Sequence, residues 1–96
     1  MLNSDQYKEM ADKFIKQNNL PMAIQMYNEI LNIDPKDGEV HINVAKIMAS
    51  QGNIQGEYQA LKQFMLSNLT PITLDAVPGA KQRIADIEKQ IAQQPK

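Results

Sequence analysis

The residues that could do chemistry in this 96-residue chain are few and scattered. His41 is the one histidine and there is no cysteine, so thiolate nucleophiles, disulfides and cysteine-based metal sites are excluded. A zinc site around His41 would draw its other ligands from carboxylates such as Glu39 or Glu57, a poor donor set for that ion. Ser4, Ser50 and Ser67 have no histidine placed to act as their base. Gly38, Gly52, Gly56 and Gly79 never reach the spacing of a phosphate-binding loop, and each suits a turn or a helix boundary. Gly52 and Gly56 form a small-x-x-x-small pair, but Gln, Asn and Glu flank it, so the membrane-helix meaning does not apply. The reading is a protein that is not an enzyme and needs no cofactor.

Composition sets further limits. Hydrophobic residues are 43% and charged residues 22%, which suits one small globular domain over residues 1–96. A net charge of -1 gives no electrostatic reason to expect nucleic acid or an anionic membrane as partner. No stretch approaches the roughly 18 apolar residues that span a bilayer. Met1 to Asp5 lacks the basic and apolar regions of a signal peptide, so a cytoplasmic location is expected.

The elements that must position these residues are helices. Tyr7, Met10, Ala11, Phe14 and Ile15 fall on one helical face, after Ser4 as the expected N-cap. Asn18-Asn19 breaks that helix, and Pro21 suits the first turn of a second. The second carries Ala23, Tyr27, Ile30 and Leu31 and ends at Asp34-Pro35. Asp37 is the expected N-cap of a third helix, apolar on more than one side through Ile42, Val44, Ala45, Ile47 and Met48. A fourth is expected over about residues 54–68, burying Tyr58, Leu61, Phe64 and Met65. Residues 67–79 are rich in turn formers, with Leu74, Ala76 and Val77 pinning the stretch to the body. The last helix, about residues 79–93, has Ala80, Ile84, Ile87 and Ile91 on a narrow stripe, and residues 94–96 are expected to fray. Met10, Met22, Met26, Met48 and Met65 fall at helical spacing and read as core filling, with Met22 the one suspected of exposure.

This succession repeats after 34 residues. Tyr7-x-x-Met10-Ala11-x-x-Phe14 returns as His41-x-x-Val44-Ala45-x-x-Met48, and Tyr27-x-x-Ile30 as Leu61-x-x-Phe64. Gln17-Asn18-Asn19-Leu20 returns as Gln51-Gly52-Asn53-Ile54. The first copy, with Ala23 and a closing Pro35, resembles the tetratricopeptide repeat, and the second is a degenerate copy in the same register. The resemblance covers about residues 4–71. It implies an all-α fold of two helix–turn–helix repeats (about 4–37 and 38–71), forming a right-handed α-solenoid segment. A linker (72–78) and a capping helix (79–93) would follow. In this register His41 stands at the opening aromatic position, which reads as packing. Glu57 stands where the first copy has Ala23, a crossing at which an unpaired carboxylate is costly. The expectation is that Gly56 takes over the small contact after a local rotation.

The resemblance also implies a concave groove, lined by the first helix of each pair, that takes an extended peptide or a helix. From this sequence its candidate binding residues are Lys8, Asp12, Glu39, Ile42, Asn43 and Lys46. Some family members hold a peptide's terminal carboxylate with Lys and Asn side chains, and Lys8 and Asn43 match two of those places. Asp12 stands where another Asn would be, and its charge repels a carboxylate. The expected function is a protein–protein interaction module, an adaptor or chaperone-like scaffold whose partner is another protein or a peptide. The alternative is self-assembly or array capping through the last helix. A monomer is the favoured state, with a homodimer as the second.

Overall fold

A computed structural model describes residues 2–94 of the chain. Among them there are six helices and no strand: α1 (Ser4–Lys16), α2 (Leu20–Ile33), α3 (Gly38–Ser50), α4 (Ile54–Met65), α5 (Pro71–Leu74) and α6 (Val77–Gln93). The fold is all-α. No helix among the described residues is long and apolar enough to cross a membrane. The expected fraying at residues 95–96 lies outside the described part.

Helix α1 is capped one residue earlier than expected. The Asn3 carboxamide accepts from the Gln6 amide, and the Gln6 side chain reaches back to the Asn3 amide, both at 2.9 Å. That reciprocal box satisfies two orphan donors at once, which Ser4 could not do from its position. Helices α1 and α2 pack together, as do α3 and α4. The two turns that join them are built alike. Asn18 and Gly52 both adopt positive φ (58° and 72°), and Asn19 and Asn53 cap the next helix through their side chains. Asn19 N donates to the Phe14 carbonyl and Asn53 N to the Met48 carbonyl, an identical i to i−5 closure.

Two core clusters lie on either side of α3. Ala11, Ala23, Tyr27, Ile30, Val40 and Ile47 form the first, from α1, α2 and α3. Ala45, Ala60, Leu61, Phe64, Ala80 and Ile87 form the second, from α3, α4 and α6. Val44 packs against both. Ala11 and Ala23 have no exposed surface, as small residues at a close helix crossing require. His41 is buried, with Nε2 2.8 Å from the Pro35 carbonyl oxygen, so the imidazole braces the α2–α3 turn.

Two expectations are corrected between α4 and α6. Helix α4 stops at Met65 instead of Asn68. The stretch expected as a linker (72–78) holds most of α5, and α6 starts at Val77 with Pro78 in its first turn. Residues after α4 are pinned by the Asn68 amide, which donates to the Lys36 carbonyl at 3.1 Å. Gly38 lets that segment approach: a Cβ there would stand 2.6 Å from Ser67 Oγ. Thr70 and Thr73 form a capping box that sets the single turn of α5.

Glu57 stays at the crossing, 6% exposed, and is held from α6. Arg83 Nε donates to Oε2 at 2.8 Å and its terminal nitrogen to Oε1 at 2.9 Å. Gly56 also makes a close contact, since a Cβ there would be 2.8 Å from Met48 Sδ. The crossing therefore keeps its carboxylate and supplies a planar cation instead of rotating it away. Tyr58 adds a hydrogen bond to Glu88 at 2.9 Å, so α6 is tied to α4 by polar as well as apolar contacts.

Candidate functional site

The side chains between α1 and α3 make a cleft of about 330 Å³ whose floor comes from α2. Ile15 of α1, Leu20 and Tyr27 of α2, and Ile47 of α3 supply apolar surface, while Asp12, Asn43, Lys46 and Ser50 supply the rim. The geometry follows from helical spacing. Asp12 and Ile15 are three apart on α1, and Asn43, Lys46, Ile47 and Ser50 follow the three-four rhythm along one face of α3. Tyr27 is buried in its body, and its hydroxyl is pushed above the usual tyrosine value. Burial is the main cause, Asp12's negative charge adds to it, and hydrogen bonding from Asn43 works against it. Among the described residues neither Asp12 nor Lys46 has an ion-pair partner.

Lys8 is differently placed. Its ammonium lies 3.2 Å from Asp37 and 3.5 Å from Glu39, linking the first turns of α1 to the start of α3. Burial pulls the lysine down, but hydrogen bonds and charge from Asp37 and Glu39 outweigh it and hold it above the usual value. Lys8 and Glu39 line a second, more polar cleft of about 270 Å³, with Asp34, Lys36, Asp37, Asn68 and the α5 residues.

No family model matches this chain, and no curated protein or solved structure matches it either.

Three of the six candidate residues, Asp12, Asn43 and Lys46, meet in the cleft between α1 and α3. Lys8 and Glu39 meet each other at its neighbour. Ile42 lines neither cleft and packs against the second core cluster. Sequence reasoning missed the cleft floor. Ile15, 38% exposed, sits at the edge of the α1 stripe one turn beyond Ala11, and that edge position next to Asp12 was the available signal. An apolar floor with a few charged groups converging on it can hold one or two side chains of a peptide and fix their orientation. Among the described residues the His41 ring is hydrogen-bonded to the Pro35 carbonyl, and the Ser50 and Ser67 hydroxyls donate to the carbonyls of Ile47 and Phe64.

Proposed function

We propose that this chain is a protein–protein interaction module of tetratricopeptide-like build, binding a peptide segment or helix of another protein between α1 and α3. The observation that carries the reading is the cleft itself, with apolar Ile15, Leu20, Tyr27 and Ile47 beneath a rim holding the unpaired charges of Asp12 and Lys46. The repeat reading is supported by burial in the 34-residue register: Ala11 with Ala45, Ala23 with Glu57, Tyr27 with Leu61, and Ile30 with Phe64 are all buried. The shared turn geometry at Asn18 and Gly52 supports it as well. A terminal-carboxylate clamp is disfavoured, because Lys8 is already held by two carboxylates and Asp12 repels a third. The α6 stripe is also a weak candidate for the binding surface, since Ala80 and Ile87 are covered within the chain.

Peptides selected from a displayed random library against the immobilised protein test this reading. Selected ligands should shift backbone NMR signals of Ile15, Asn43 and Ser50, and Asp12→Lys or Lys46→Glu should weaken them by at least about tenfold. Ligands that bind both variants unchanged, or that shift only signals elsewhere, would place the binding surface outside this cleft.

A further inference from the structure

In the 34-residue register Asp12 and Lys46 hold the same place on α1 and on α3, and both line the cleft between those helices. A carboxylate and an ammonium therefore face one groove from its two walls. Among the described residues neither has an ion-pair partner, and they are not paired with each other. The remaining charges on the three helices do not cancel them. Lys8 is held by Asp37 and Glu39 at the neighbouring cleft. Glu9 and Lys16, about one turn to either side of Asp12, are of opposite sign and line neither cleft. Glu29, the one charge on α2, is exposed and also lines neither. What α2 brings is the Tyr27 hydroxyl, which feels the charge of Asp12 and the hydrogen bonding of Asn43 and so lies between the two walls.

The next step rests on the peptide-binding reading of this cleft: we infer that its ligand is a dipolar segment, with a basic side chain on the Asp12 wall, an acidic side chain on the Lys46 wall, and an apolar residue between them on Ile15, Leu20, Tyr27 and Ile47. The spacing of those charges follows from helix geometry. Packed helix axes lie about 8–10 Å apart, and an extended chain rises about 3.3 Å per residue. A segment crossing from α1 to α3 therefore passes from one charge to the other in about three residues. The cleft, about 330 Å³, is near the lower bound for ligand sites and has room for one or two apolar side chains on its floor. Charge also decides against uniform tails. An acidic segment gains at Lys46 and is repelled at Asp12, and a basic segment does the reverse, so each loses at one wall what it gains at the other. For a given chain direction, exchanging the two ligand charges sets each against its like.

The probes are capped hexapeptides Gly-X-Leu-Phe-Z-Gly, with X and Z each Lys, Gln or Glu, titrated into isotope-labelled protein and followed by backbone NMR. One of the two opposite-charge orders should bind at least about fivefold tighter than its reverse and than the Lys/Lys and Glu/Glu peptides. That advantage should shrink between about 50 mM and about 500 mM salt. The paired exchange Asp12→Lys with Lys46→Asp keeps the net charge, touches two exposed side chains, and should reverse the preferred order. Should the exchanged protein lose helicity, Asp12→Asn and Lys46→Gln decide, each removing the preference at one peptide position only. A Gln/Gln peptide that shifts Ile15, Asn43 and Ser50 as strongly as the best charged one would overturn the dipolar ligand and leave the cleft reading standing. So would a uniformly acidic or basic peptide that binds best there, or an order preference that survives the exchange. Shifts confined to residues outside the cleft, or none at about millimolar peptide, would overturn both readings.

Discussion

Arg83→Met is the sharpest single perturbation of this fold. It keeps the aliphatic stem that lies along α6 but leaves the Glu57 carboxylate, 7% exposed at its side chain, without the two donors at 2.8 and 2.9 Å. Removing one partner of a buried ion pair costs about 3–5 kcal/mol, because the surviving charge is stranded. Protonation sets a ceiling: holding a carboxyl neutral at pH 7, some 2.7 units above a glutamate's ordinary midpoint, costs about 4 kcal/mol. The expected loss is therefore about 3–4 kcal/mol, out of about 5–14 kcal/mol for a chain of this length. That corresponds to a fall in Tm of about 15–25 °C. Glu57→Ala should cost only about 1 kcal/mol, since the Arg83 side chain is 40% exposed and turns to water, and alanine suits the crossing as Ala23 does. The double variant should match Glu57→Ala, giving a coupling of about 3–4 kcal/mol. Urea unfolding of the two single variants and the double variant, followed by far-UV circular dichroism at pH 7, measures all of this. A cost below about 1 kcal/mol for Arg83→Met, with no coupling, would refute the account of how α6 is held.

Gly38→Ala should cost about 1–2 kcal/mol, because its Cβ meets Ser67 Oγ at 2.6 Å. In a Ser67→Ala background, where the nearest Ser67 atom is its Cβ at 3.5 Å, the same substitution should turn neutral or stabilising through helix propensity, as thermal melts would show. Lys8→Met should cost about 0.5–1 kcal/mol at neutral pH, discounted for the 28% exposure of the side chain. Because the lysine is raised in the folded chain, its contribution is complete below the ordinary lysine value of about 10.4 and is lost as pH rises through the folded value. Wild type and Lys8→Met should therefore converge in stability on the alkaline side, and curves that stay parallel would mean the Asp37 and Glu39 contacts contribute nothing.

Helix existence was legible because α1 to α4 each carry a stripe long enough to have a period. Ala11, Tyr27, Ile30, Ala45 and Phe64 fall inside for that reason. The turns were legible because Asn and Gly are the residues that tolerate positive φ, and they stand at 18 and 52. The rim of the cleft was legible in part: Asp12, Asn43 and Lys46 meet where the faces of α1 and α3 bring them, whereas Ile42, one residue before Asn43, turns to the second core. A residue's face within a helix is read from spacing. Which side of a stripe is covered depends on the neighbour, and α3 has neighbours on two sides.

Glu57 shows where that kind of reading ends. A carboxylate at a buried crossing announces that a partner exists, but spacing within α4 cannot say where it comes from, because Arg83 lies 26 residues away on another helix. Sequence logic looked for relief nearby, in Gly56, and the fold supplied it from α6. The α5 turn is the same problem with the sign reversed. Four residues hold no period, so composition assigned Leu74 to the inside, while the docking of Asn68 on Lys36 and the Thr70–Thr73 box turned Thr73 in and the aliphatic side chains out. A buried charge without a local partner and a buried threonine between exposed aliphatic residues are both violations of pattern. The first is resolved from another helix by Arg83, and the second by the capping box that turns Thr73 inward.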